Sequence, residues 1–286
     1  MLRNASELSG LTIAATDGDI GRVRDCYFDD ESWVVRYLVV ETGSWLASRK
    51  VLLSPLVLGE PDWREQGIPA RLTREQVRGS PGIDTDMPVS RQHEMDLSSY
   101  YGYPQYWGSI GLWGTGYYPG ALLTGTGYSG SGADYLAAQV EQERQERQEG
   151  IADHHDRHLR SCKAVTGYAI DALDGDIGHV QGMLVDEESW ALRYLVVNTS
   201  NWWLGHKVLV APRWITNISW PERSVMIDLT REDIKSAPAY EDGQALDRPL
   251  EALMHHHYGR TGYWHDETPL QDVSRLRSSE ERAPRQ

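Results

Sequence analysis

The chain has 286 residues and is about 40% hydrophobic, with 11 Trp, 15 Tyr and a single Phe, which leaves room for two modest domains with real cores. A formal net charge of −14 repels phosphate backbones and anionic lipid, so nucleic acid and simple membrane adsorption are poor candidates for partners. The first fifteen residues lack the apolar stretch of a signal peptide, and no run approaches the roughly 18 apolar residues of a transmembrane helix.

In chain order, Leu11 to Thr16 reads as a strand, and Asp17-Gly18 as a tight hairpin turn. Ile20 to Phe28 returns as a strand, and Asp29-Asp30-Glu31-Ser32 is a polar turn. Trp33 to Val40 is the strongest strand, β-branched and aromatic throughout. Trp33, Val35, Tyr37 and Val39 fall on one face and Val34, Leu38 and Val40 on the other, with Arg36 interrupting the second. A strand apolar on both faces must be covered twice, and a second domain is the nearest cover. Lys50 to Leu58 is expected as a strand with an edge or bulge at Pro55. Ile68 to Leu72 makes a short last strand, and Thr73 caps a helical turn through Val77.

Residues 98–132 are rich in Gly and Tyr. That composition fits either a low-complexity segment or an extended arm pinned by its aromatics. Ordered docking is favoured for residues 100–107, and 114–132 read as flexible. Asp134 to Leu159 reads as a polar helix bridging solvent, and Arg275 to Gln286 as a frayed end.

A shift of 157 residues lays the chain on itself. Asp17-Gly18-Asp19-Ile20-Gly21 falls on Asp174-Gly175-Asp176-Ile177-Gly178, and Arg36-Tyr37-Leu38-Val39-Val40 on Arg193-Tyr194-Leu195-Val196-Val197. From Asp17 to Pro55 about 21 of 39 positions are identical. The register continues through Trp63 and Trp220, Thr73 and Thr230, Arg91/Glu94 and Arg248/Glu251, and Tyr106-Trp107 and Tyr263-Trp264. The expected organisation is a first domain at 1–97, a Gly/Tyr/Trp arm at 98–133, a polar helical linker at 134–160, a second domain at 161–247 and a tail at 248–286 that repeats the arm.

The pattern Asp-Gly-x-Ile-Gly-x-Val, then Trp-x-x-Arg-Tyr-Leu-Val-Val, then Trp and Lys-Val-Leu-x-x-Pro resembles the PRC-barrel family, at about 5–88 and again at 162–245. That family takes its name from the cytoplasmic domain of the photosynthetic reaction-centre H subunit, and it includes the C-terminal domain of a ribosome maturation factor. The resemblance implies a mainly β fold of two small barrels in tandem, packed as a pseudo-dimer. Both relatives use the barrel for docking within a larger assembly, which implies a cytoplasmic adaptor rather than an enzyme. The alternatives are a peripheral accessory protein of a photosynthetic or electron-transfer complex, and a metal- or ligand-binding stress protein. No cofactor is expected. The partner is expected to be a protein, and a homo-oligomer is compatible with the sequence.

The candidate interface is Trp33, Arg36, Tyr37 and Trp45 with their counterparts Trp190, Arg193, Tyr194 and Trp202, plus Tyr106, Trp107, Tyr263 and Trp264. The Trp residues suit an exposed recognition surface or, more simply, core and inter-barrel seam. Arg36 and Arg193 could anchor a partner's carboxylate or phosphate, or close an internal salt bridge with Glu31 and Glu188. His154, His158, His255 and His257 could ligate zinc or copper, but nothing in the sequence completes such a site. The acidic turns read as turn formers rather than cation sites. No nucleophile or phosphate-loop motif occurs. Cys26 and Cys162 stand at non-equivalent places of the repeat, so no structural disulfide is expected.

Overall fold

A computed structural model describes residues 1–83, 89–107, 111–113, 116–120, 158–199 and 206–267. The mainly β expectation is realised as two bent sheets, one of six strands and one of seven. The first contains β2 (Thr12–Ala15), β3 (Gly18–Asp29), β4 (Val34–Thr42), β5 (Lys50–Leu53) and β6 (Gly67–Pro69), in the order β5-β4-β3-β2-β6. The second contains β8 (Ala169–Ala172), β9 (Gly175–Asp186), β10 (Leu192–Asn198), β11 (Lys207–Val210), β12 (Ile215–Ser219) and β13 (Ser224–Ile227), in the order β11-β10-β9-β8-β13-β12. Helices α1 (Arg74–Gly79), α2 (Arg91–Tyr101), α3 (Cys162–Val165), α4 (Arg231–Lys235) and α5 (Arg248–His257) complete the elements, and no described helix is long and apolar enough to cross a membrane.

Local chemistry explains most boundaries. The expected strand from Lys50 stops at Leu53, because Ser54 caps a 3-10 turn that Pro55 opens; proline has no N–H to donate to a ladder. Gly21 and Gly178 stand where β3 and β9 pass close beneath their neighbours. A Cβ there would lie 2.0 Å from the carbonyl oxygen of Glu41 or Asn198. The turn carboxylates have work of their own. Asp17 accepts from the backbone N–H of Arg74 at 2.8 Å and Asp174 from that of Arg231 at 2.7 Å. Each thereby satisfies one of the orphan donors at the start of α1 or α4.

The two halves exchange strands. The first strand, β1 (Leu2–Asn4), pairs with β9 in the second sheet, Leu2 opposite Asp186. Its repeat counterpart, β7 (Leu159–Ser161), pairs with β3 in the first sheet, Leu159 opposite Asp29. This corrects the expected linker helix at its end. Leu159 and Arg160 are strand residues, and residues 134–157 of that helix lie outside the described residues. Ion pairs repeat the exchange: Arg3 Nε lies 3.0 Å from Glu187, and Arg160 Nε 2.7 Å from Asp30. Each arginine also lies over a tryptophan, Arg3 on Trp63 at 4.7 Å and Arg160 on Trp220 at 4.0 Å.

Between these arms the halves touch again through backbone. Val34 and Ala191, equivalent residues, form an antiparallel bridge. The Val35 N–H donates to Trp190 at 2.8 Å and the Leu192 N–H to Trp33 at 2.7 Å. Trp33 and Trp190 are both left-handed, at φ 56° and 59°, a conformation bulky residues adopt only where the surroundings enforce it. Equivalent groups meeting each other is the mark of an isologous interface, here inside one chain.

The doubly apolar strand β4 is indeed covered twice, but the cover differs from expectation. Tyr37, Val39 and Leu52 pack against Val89, Leu97 of α2 and Leu159 of the exchanged strand. The helix α2 was not foreseen. Ser90 caps it, accepting from the His93 N–H at 3.3 Å. The chain divides into two compact units, Met1–Gln244 and Ala245–Gln286. The described residues of the second hold α5 and the turn Tyr263–His265.

Candidate functional site

The chemistry concentrates where β4 bulges. Tyr27 pairs with Tyr37 and Phe28 with Val35, so Arg36 is the extra, unpaired residue. Arg193 is the same on β10, between Leu192 opposite Val185 and Tyr194 opposite Leu184. A bulge resets the in–out alternation of a strand and re-aims one side chain. That is why Arg36 and its neighbour Tyr37 both reach one buried cluster.

The Arg36 guanidinium, 3% exposed, donates through Nη1 to the Leu112 carbonyl at 2.6 Å and through Nη2 to Ser32 Oγ at 2.9 Å. Its Nε faces Asp29 at 3.8 Å, an ion pair too long for a hydrogen bond. Its face lies 3.7 Å from the Tyr106 ring centre and 4.9 Å from that of Trp113. Desolvated stacking of this kind contributes about 2 kcal/mol. Burial pulls the guanidinium's pKa down, and Tyr106 and Asp29 oppose that shift; an arginine keeps its charge regardless.

Glu94 of α2 is the counter-charge, and it is fully buried. Tyr106 Oη donates to its Oε2 at 2.5 Å, His158 Nε2 lies 2.7 Å from its Oε1, and Arg91 Nη1 lies 3.3 Å from the same oxygen. Burial first, and Glu94 second, hold the Tyr37 and Tyr106 phenols well above their ordinary range, so both stay protonated. Burial works against a charged His158, but the hydrogen bond and charge of Glu94 outweigh it, and the net shift is upward.

Trp113 carries the arm from this cluster to the other half. It is fully buried, and its Nε1 donates to the Ser189 carbonyl at 2.7 Å, in the turn between β9 and β10. Order along the arm therefore extends past residues 100–107. Gly116 pairs with Trp113, while residues 121–132 lie outside the described residues.

Within the second unit the same clip is built again. Tyr263 Oη donates to Glu251 at 3.0 Å, Arg248 lies 2.9 Å from Glu251, and its guanidinium lies 4.3 Å from the Trp264 ring. In the first copy Arg91 lies 4.6 Å from the Trp107 ring.

The candidate residues divide by exposure. Trp33, Arg36, Tyr37, Tyr106, Trp190, Arg193, Tyr194 and Tyr263 are buried. The arginines close internal ion pairs, but with Asp29 and Asp186 rather than Glu31 and Glu188. Asp29 also accepts from the Glu31 and Ser32 N–H groups at 3.0 Å. Trp45, Trp107 and Trp264 keep part of their surface in solvent. Trp45 Nε1 donates to the Ile20 carbonyl at 2.7 Å while Arg74 lies 4.4 Å over its ring. Trp202 and His154 lie outside the described residues. His158 precedes a strand instead of sharing a helix face with His154. His255 meets Trp264 and His257 meets Tyr258 edge to face, and no cluster able to hold a metal occurs among the described residues. Reading the sequence for chemistry overlooked Glu94 and Trp113. A signal for Glu94 existed: Arg91 and Glu94 persist as Arg248 and Glu251 at helical i,i+3 spacing.

Residues 2–60 match the family model of the PRC-barrel domain. No curated protein matches the chain. That match spans β1 through β5 and the turn that follows, including Arg36 and the Trp33 crossing. Residues 2–60 are therefore similar to a PRC-barrel domain, and β11-β10-β9-β8-β13 of the second sheet repeat the order β5-β4-β3-β2-β6 of the first.

Proposed function

We propose that this chain is a non-catalytic binding and assembly protein, an adaptor of the cytoplasm whose partner is another protein. The observation that carries the reading is the reciprocal strand exchange, sealed by Trp113 across the seam. It joins two PRC-barrel-like sheets into one body, a suitable platform for docking. The buried Arg36 and Glu94 groups are spent on holding that body together. The half-exposed Trp45, with Arg74 and Arg78 against its ring, and Trp107 remain to meet a partner. Tryptophan and arginine together are the residues most enriched in binding hot spots, and the acidic balance of the chain favours a basic partner surface.

The test is in-cell cross-linking of the tagged full chain, with Trp45→Ser and Trp107→Ser versions in parallel. The expected result is a defined protein complex, recovered at least about tenfold less with one of the variants. A chain that runs at its own mass in native lysate, with cross-links only within itself, would sink the proposal.

A further inference from the structure

The strand exchange brings together the only two cysteines of the chain. In the ladder between β3 and β7, Tyr27 faces Ser161 and Phe28 faces Arg160. Cys26 and Cys162 are the next residues beyond that ladder, Cys162 opening helix α3. Hydrogen bonds hold that junction in place: Ser161 Oγ donates to Asp25 at 2.5 Å, and the Lys163 N–H donates to Asp25 at 3.3 Å. Both thiols are free and buried, and they contact each other. Side chains in contact are within the reach a disulfide needs, its Cβ atoms lying about 3.5–4.5 Å apart. In the other exchanged arm the next residues beyond the ladder are Ala5 and Met183, so the pair exists on one side only.

We propose that Cys26 and Cys162 are a redox modification site, a dithiol that a peroxide converts to a disulfide tying the exchanged strand to its host sheet. One thiol attacks the peroxide; an S–O bond forms, the O–O bond breaks, and water leaves. The partner thiol then attacks the sulfenic sulfur; the S–S bond forms, the S–O bond breaks, and a second water leaves. The two thiols lose two electrons and the peroxide gains them. A small peroxide suits a buried pair that a bulky alkylating reagent cannot reach. Burial, reinforced by Cys26, pushes the Cys162 thiol well up, so the reaction is slow at neutral pH and quickens as pH rises.

The experiment treats the full native chain with hydrogen peroxide, blocks remaining thiols in urea, and maps non-reduced peptides by mass spectrometry. The expected product is a cross-linked peptide pair containing Cys26 and Cys162, lighter than the dithiol by about 2 Da. Cys162→Ala, which restores the residue of the sister arm, abolishes the cross-link. The oxidised chain unfolds at higher urea than the reduced one, because the bond closes a long loop. Thiols that remain fully alkylatable, or that advance to sulfinic acid or intermolecular products without the Cys26–Cys162 peptide, overturn the proposal.

Discussion

The two copies of the Arg–Glu–Tyr–Trp clip share the same contacts, Arg91 and Tyr106 on Glu94 in one and Arg248 and Tyr263 on Glu251 in the other. Around Glu94, the arginine, tyrosine and tryptophan of the clip are joined by His158 at 2.7 Å. The residue 157 positions earlier, Met1, occupies the same place in the backbone. Its carbonyl accepts from the Glu187 N–H as that of His158 accepts from Asp30. Methionine brings no titratable side chain to its place in that frame, whereas His158 sets an imidazole against buried Glu94. A duplicated scaffold can thus acquire a pH-sensitive contact in one half while its hydrogen-bond frame stays common to both.

The sharpest way to break this comparison is to remove the two carboxylates separately. Glu94→Ala strands His158 and part of Arg91 and is expected to cost about 3–5 kcal/mol in urea titration, the range for orphaning a buried charge. Glu251→Ala is expected to cost about 1–3 kcal/mol, because its partner Arg248 is 50% exposed and regains water. Equal losses would remove the asymmetry. Gly21→Ala and Gly178→Ala test what is shared instead. Both drive a Cβ into a carbonyl oxygen at 2.0 Å, and each is expected to lose about 1–3 kcal/mol, Gly178→Ala the more because its φ of 133° disfavours a side chain.

The smallest effect concerns pH. Burial opposes a charged His158, Glu94 and Asp29 favour it, Arg91 opposes it, and the folded pKa ends above the usual histidine value. The fold therefore binds that proton more tightly than the unfolded chain does. The stability it adds is fully present below about pH 6.5 and is lost as pH rises through the folded value. His158→Met, which copies the sister position, is expected to flatten the decline of the urea midpoint as pH rises above about 6.5. An unchanged slope would assign the pH dependence elsewhere.

Much of the sheet framework is legible in the amino-acid sequence. Alternation and turn chemistry locate β2, β3 and β4, and Thr73 announces the capped helix α1, whose capping box Gln76 completes in the structure. Pairing partners were not legible, for a physical reason. When two copies present nearly the same strands, periodicity cannot say which copy an arm joins, and the three residues Leu2–Asn4 carry too little pattern to decide. The bulge at Arg36 was equally silent. A strict two-residue period put Arg36 on one face and Tyr37 on the other, whereas the extra residue sends both to Glu94. Helix α2 was hidden by its polar composition: of its eleven residues, Arg91–Tyr101, only Met95, Leu97 and the two tyrosines are apolar or aromatic. The cysteines show the same effect. Their mismatch in the repeat, first a reason to keep them apart, is what places them beside each other once arms are traded.

The traded arms also carry a history. Two identical ancestral chains, each lending its leading strand to the other, would make the contacts now made between residues 1–4 and 159–161 and the opposite sheets. In such a homodimer every change appears twice, so a thiol pair on one side is forbidden by symmetry. Fusion into a single polypeptide lifts that restriction, and each half can then drift toward its own chemistry while neither can leave the other.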